Sequence, residues 1–157
     1  MKYFFLILFT ISGINPTFSD ERLKSFINEN SQYIIKSSSK TVDNILKKVD
    51  DFNEEAVAQF LTLWKNKKLY YIKKSKNIVL AKKADDNSYK VLDIFSNFLI
   101  KKFAKKDLKK IKPNSGVRAK ISSALVRFQI LSKDEEKRLN SIKALEKKIL
   151  PEHLNLL

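Results

Sequence analysis

The chain has 157 residues, enough for one small domain with a single hydrophobic core. It contains no cysteine and two glycines, which excludes disulfides, a thiolate nucleophile and a glycine-rich phosphate loop of the ATPase type. Hydrophobic residues make up 43%, which is typical of a folded domain and not of a disordered chain.

The net charge is +15, and its distribution along the chain is uneven. The segment Lys65–Lys112 holds 16 basic and 4 acidic residues, so it carries +12 of that total. The basic residues are 28 Lys and 4 Arg, and Arg is the residue suited to bidentate contacts with phosphates and bases. This composition favours nonspecific attraction to an anionic membrane or polymer surface and no specific nucleic-acid recognition. An AT-rich genome, which enriches Lys, Asn and Ile, is the alternative explanation.

Residues 1–19 have the pattern of a secretory signal peptide. Lys2 is followed by an apolar run from Tyr3 to Ile11, and Thr17-Phe18-Ser19 places small residues before a predicted cleavage site. The run is shorter than the roughly 20 residues that span a bilayer. The pattern predicts export to the periplasm, where the protein is either free or associated with the inner membrane. An uncleaved anchor or a first core helix is the alternative.

Apolar residues at steps of three and four predict three helices in the first part of the mature chain, over Asp20–Lys36, Thr41–Val49 and Asn53–Trp64. Asp20 and Asn53 are the predicted N-caps of the first and third helices.

The next stretch has a different composition. Leu69–Ile72 and Ile78–Leu80 are β-branched and aromatic, and five polar residues separate them, which predicts a β-hairpin. Tyr89–Asp93 is a candidate third strand. The residues Asn97–Phe103 fit a short helix or an extended segment equally well.

The C-terminal part again has helical periodicity. Val117, Ile121, Leu125 and Phe128 define one helix face. Ser132 and Glu135 form a capping box, and Leu139, Ile142, Leu145 and Ile149 line the following helix. We expect the two helices to form an αα-hairpin that buries both stripes against each other.

The predicted fold is mainly α, with small HEAT-like helical hairpins and an inserted short β-hairpin or small antiparallel sheet. Residues 20–157 form one domain, in which 20–64 are helical, 65–103 are the basic β-containing insert and 104–157 are the helical hairpin and tail. Two glycines and three prolines also favour helices over a loop-rich fold.

The stretch around this hairpin resembles the extracytoplasmic N-terminal region of the urea ABC transporter permease, a relative of branched-chain amino-acid permeases. The resemblance covers roughly Phe60–Leu145 and rests on scattered positions. Lys133, where that family usually has Pro, departs from it. The matching residues are Asp107, Leu108, Ile111, Lys112, Asn114, Val117, Arg118, Leu131, Ser132, Asp134, Arg138 and Leu139.

This resemblance implies a non-catalytic extracytoplasmic module that serves a urea-type importer, or the N-terminal part of its permease. The partners it implies are the ABC transporter permease or the solute-binding protein. It also implies that Asn114 caps a helix and that Arg118 pairs with Asp107 or Asp134.

The second functional hypothesis is a basic exported protein that adheres to anionic lipid or polymer surfaces. Aromatic residues among lysines are typical of membrane interfaces, although such residues are more often half-buried in a sheet. The predicted contact residues are Lys65, Lys67, Lys68, Tyr70, Tyr71, Lys105, Lys106, Lys109 and Lys110.

An exported enzyme is the third and weakest hypothesis. The single histidine, His153, lies in the tail without neighbouring partners, and the pairs Asp50-Asp51 and Asp85-Asp86 are typical of turns. We therefore predict no catalytic residue, no metal site and no cofactor.

Overall fold

The computed structural model describes residues 18–84, 86, 88–130 and 135–146. Its helices are α1 (Phe18–Glu29), α2 (Ser31–Ile35), α3 (Asp43–Lys48), α4 (Glu54–Lys65), α5 (Ser115–Ile130) and α6 (Glu135–Glu146). Its strands are β1 (Leu69–Ile72), β2 (Ile78–Lys83), β3 (Ser88–Leu92), β4 (Leu99–Ala104) and β5 (Leu108–Lys110). Single 3₁₀ turns lie at Val49–Asp51 and Lys105–Asp107.

The fold is α+β, so the prediction of a mainly α protein with an inserted short β-hairpin or small antiparallel sheet is wrong. The predicted strands at Leu69–Ile72, Ile78–Leu80 and Tyr89–Asp93 exist, but β4 and β5 extend them into a five-stranded antiparallel sheet of order β4-β3-β2-β1-β5. The sheet therefore continues to Lys110, beyond the predicted end of the insert at residue 103.

The sheet is curled and not flat. β4 and β5 lie at its opposite edges, about 19 Å apart in a flat sheet of five strands. Only Lys105–Asp107 connects them, and that length of chain reaches about 15 Å at most. The edges must therefore bend towards each other.

One face of the sheet is concave as a result. Side chains from all five strands converge on it in a small cluster separate from the main core. The buried members are Val79, Val91 and Leu108, and the half-buried ones are Tyr70, Ile72, Ala81, Tyr89 and Phe103.

The opposite, convex face packs on the helices. Leu69, Tyr71 and Ile78 of this face join the main core. α4 supplies the two largest of its fully buried side chains, Phe60 and Trp64. α4 also packs along α5, so the N-terminal and C-terminal helices share the main core. The predicted HEAT-like helical hairpins belong to the mainly α fold that the five-stranded sheet contradicts.

Asparagines mark two helix boundaries in the first part of the chain. The predicted helix Asp20–Lys36 is interrupted at Asn30, whose side-chain amide donates to the carbonyl of Phe26 at 2.9 Å. Asp20 lies inside α1 and is not its N-cap. The prediction for Asn53 is confirmed, since its side-chain oxygen accepts from the Ala56 amide at 3.1 Å and caps α4.

The C-terminal helices fit their prediction only in part. The predicted face of α5 is buried at Val117, Ile121, Leu125 and Phe128. α6 lies against α5, but its Leu139 is 49% exposed and Ile142 is 37% exposed, so the expected burial of both stripes is wrong for these residues.

Several predicted features fall on residues that the structure does not describe. They are the signal peptide up to residue 17 and the residues Leu131, Ser132, Asp134 and Ile149. Within the described ranges, none of the helices combines the length and the apolar character that crossing a bilayer requires.

Candidate functional site

The predicted contact residues divide between the core and the surface. Tyr71 is 9% exposed and packs in the main core, as does the neighbouring Trp64. Lys65, Lys67 and Lys68 lie at the junction of α4 and β1, and Lys67 adopts a left-handed backbone conformation with φ 57°.

The remaining contact residues lie at the β5 edge of the sheet. A groove of about 540 Å³ is lined there by Tyr70, Lys105, Lys109 and Lys110, together with Tyr89 of β3, and the mostly buried Tyr71 also lines it. Lys106 is exposed nearby. The structure thus brings the second half of the predicted set together and leaves Lys65–Lys68 apart from it.

Tyr70 is the central side chain of this groove. Its ring lies 6.1 Å from the ring of Tyr89, and the Lys110 ammonium lies over it at 5.7 Å from the centroid. Burial and the neighbouring Tyr89 raise the pKa of the Tyr70 hydroxyl, so the hydroxyl stays protonated and remains a hydrogen-bond donor. The groove residues therefore present cations and donors, which suits an anion.

Three exposed lysines form a row across the convex face of the sheet, on the part of that face that the helices leave exposed. Lys82, Lys90 and Lys102 are directly opposite one another on β2, β3 and β4, and all three are exposed. Directly opposed side chains of this kind have Cβ atoms about 5 Å apart, and like charges in such pairs destabilise a sheet. We call Lys82, Lys90 and Lys102 the lysine row.

Among the described residues, Asp86 is the one carboxylate that forms an ion pair with the lysine row. Its Oδ2 lies 3.3 Å from Nζ of Lys102. The hydroxyl and amide of Ser88 and the Lys102 ammonium lower the pKa of Asp86 to about 2, so it stays ionised at neutral pH. Asp86 offsets one of the three positive charges.

The turn between β3 and β4 is attached to the helical layer through Asp93, which is 7% exposed. Its Oδ1 accepts from the amides of Phe95 and Ser96, both at 3.0 Å, and its Oδ2 lies 2.6 Å from Nζ of Lys24 on α1. Burial raises the pKa of this carboxyl, but the Lys24 ammonium and these amides outweigh burial and lower it. The charged pair is one of the contacts that hold the turn against the helices.

Among the residues on which the family resemblance rests, the helix cap is present and the expected ion pair with Asp107 is not. Asn114 caps α5, as expected, by accepting from the Val117 amide at 2.9 Å. Arg118 is exposed and forms no ion pair with Asp107, while its other expected partner, Asp134, lies outside the described residues.

Other pairs tie α5 to the first part of the chain: Lys120 with Asp43, and Arg127 with Asp50. Leu108 is buried in the concave cluster, and the carbonyl of Asp107 accepts from the Lys73 amide at 2.9 Å. Arg138 lies on α6.

Within the described part of the chain, no group of three His, Cys, Asp or Glu side chains is placed to hold a metal ion. Asp50 and Asp86 each pair with a basic side chain, and His153 and Asp85 lie outside the described residues. Comparison of the chain with protein-family models, with curated proteins and with solved structures found no match.

Proposed function

We propose that this protein is a non-catalytic binding protein that adheres to anionic surfaces through the exposed lysines of its sheet. The observation that carries this proposal is the lysine row, in which Lys82, Lys90 and Lys102 oppose one another on three adjacent strands. A row of like charges costs folding free energy, and a dense layer of phosphate or sulfate groups would offset that cost on binding.

The other edge of the sheet carries a second, separate group of lysines. The groove at the β5 edge carries Lys105, Lys109 and Lys110, and none of the described residues that line it is acidic. Each lysine close to an anionic bilayer contributes about 1 kcal/mol, and the attraction decays within a Debye length of about 8–10 Å. The three lysines of the row therefore give useful affinity without any specific pocket.

A role beside a urea-type importer stays a prediction from the sequence resemblance. The lysine row favours the anionic-surface function, because adhesion through these lysines needs no transporter partner. Export to the periplasm, predicted from residues 1–19, would place such a protein next to the anionic outer leaflet of the inner membrane.

The test compares two double variants of the full chain. Lys82→Gln with Lys90→Gln removes two charges of the lysine row, whereas Lys47→Gln with Lys48→Gln removes two exposed lysines of α3, on the helical side. Binding is measured by co-sedimentation with vesicles of phosphatidylglycerol and phosphatidylcholine, and by retention on heparin as an anionic polymer.

We expect the sheet variant to lose about 25-fold in affinity for the anionic vesicles at low salt, from about fivefold for each lysine. The α3 variant should lose much less, and the two variants should not differ on pure phosphatidylcholine. Equal losses in both variants would contradict the proposal. Heparin retention without vesicle binding would identify a polymer and not lipid as the surface.

A further inference from the structure

Three consecutive apolar residues are exposed where β4 begins. Phe98 is 58% exposed, Leu99 56% and Ile100 54%. Single exposed apolar side chains are common on soluble proteins, but three in a row at the entry to an edge strand favour contact with another apolar phase. We call Phe98, Leu99 and Ile100 the apolar tip.

The apolar tip is held in place by a network of hydrogen bonds. The Asp93 amide donates to the Phe98 carbonyl at 2.9 Å, and the Phe98 amide donates to Oγ of Ser96 at 3.3 Å. Asn97 adopts a left-handed conformation with φ 58°, which asparagine tolerates better than most residues. Asp93 is also paired with Lys24. The turn is therefore held in place before any binding, with its apolar side chains exposed.

The positive charge beside the apolar tip indicates which partner can bind there. Lys101 and Lys102 follow it directly on the same edge strand, and both are exposed. If the β4 edge of a second copy paired with this one in antiparallel fashion, the lysines of the two strands would approach and repel each other. Lysines on edge strands commonly prevent such pairing. An anionic bilayer offers headgroups for the lysines and hydrocarbon for the tip at the same time.

We propose that Phe98, Leu99 and Ile100 insert into the headgroup–acyl boundary of an anionic bilayer, with Lys101 and Lys102 among the phosphates. This inference rests on the proposed function and selects lipid as the surface. Interfacial elements of this type penetrate about 5–10 Å, a depth that apolar side chains at one end of a strand can reach.

The absence of cysteine from the chain makes a direct test possible. Leu99→Cys, labelled with the environment-sensitive dye NBD, reports on the tip. Tyr33→Cys carries the same label at a position on α2 that is 70% exposed, as a control. Both proteins are mixed with phosphatidylglycerol vesicles, with and without a lipid-borne nitroxide quencher.

We expect the dye at position 99 to brighten about threefold or more and to be quenched from within the bilayer, while the dye at position 33 does neither. A second variant, with Phe98, Leu99 and Ile100 all changed to Ser, should keep low-salt binding to vesicles and heparin. It should lose the fraction of vesicle binding that the unmutated chain retains in 0.5 M salt.

The outcomes separate the two proposals. Suppose that vesicle binding depends on the lysine row but the fluorescence of the dye at position 99 does not change. This result would overturn insertion and leave the proposed function intact. Failure of the unlabelled protein to bind either anionic vesicles or heparin at low salt would overturn both. Equal brightening at positions 33 and 99 would also contradict insertion by the tip.

Discussion

The contact between Asp93 and Lys24 gives a quantitative prediction about stability. Asp93→Asn keeps a side-chain oxygen for the amides of Phe95 and Ser96 but removes the charge that faces Lys24 at 2.6 Å. Truncating one partner of a fully buried pair costs about 3–5 kcal/mol. Lys24 is 32% exposed and has Glu21 as a second partner at 3.4 Å, so we expect a smaller loss, about 1–2 kcal/mol at neutral pH.

The pH dependence of this loss follows from the lowered pKa of Asp93. The unfolded carboxyl titrates near 3.9, and the folded one titrates below that value. The stability that the charge contributes is therefore fully present above about pH 5 and is lost as the pH falls through the folded pKa. The difference between the unmutated protein and Asp93→Asn should shrink as the pH is lowered from 5 towards 2.

Urea unfolding at several pH values measures this difference, with fluorescence of the sole tryptophan, the fully buried Trp64, as the signal. Glu21→Gln is the matched control, because Glu21 is half-exposed and should change the free energy of unfolding by less than about 0.5 kcal/mol. A loss in Asp93→Asn that stays constant from pH 7 to pH 2, or one no larger than in the control, would refute the reasoning.

Four further predictions concern other parts of the chain. A Cβ at Gly116 would lie 2.8 Å from Cβ of Ser39, so Gly116→Ala should destabilise by about 1–3 kcal/mol and Ser39→Gly should restore part of the loss, both read from urea unfolding. Leu125→Ala should cost about 2–5 kcal/mol in the same assay, since Leu125 is buried on α5, and an effect below about 0.5 kcal/mol would contradict that packing. Asp86→Asn should strengthen binding to anionic vesicles by about fivefold in co-sedimentation because it frees Lys102, whereas Asp50→Asn, on the helical side, should not. The intact mass of the exported protein should start at Asp20, and retention of residues 1–19 would contradict the signal peptide.

The elements that the sequence predicted well have a local signal. The hairpin of β1 and β2 follows from two β-branched, aromatic runs separated by a polar turn, and the buried face of α5 follows from apolar spacing alone. The caps Asn53 and Asn114 likewise depend only on the few residues that follow them.

The elements that could not be predicted from the sequence depend on contacts between residues that are far apart along the chain. β5 has three residues, and its main support is pairing with β1, where Lys110 faces Tyr70. β4 has no alternation of apolar and polar residues, because the exposed Leu99 and Ile100 are followed by two lysines and then by Phe103 and Ala104. The lysine row could not be found without the register of three strands, since its members lie at positions 82, 90 and 102.

The connectivity of the curled sheet also implies an order of folding events. β1 to β4 form consecutive hairpins between neighbouring segments, whereas β5 pairs with β1 across 40 positions, from Tyr70 to Lys110. Closing that larger loop costs more chain entropy and gains only three paired residues on β1. β5 is therefore expected to add last, after the meander has formed. Truncation of Leu108 should then accelerate unfolding and leave the refolding rate almost unchanged.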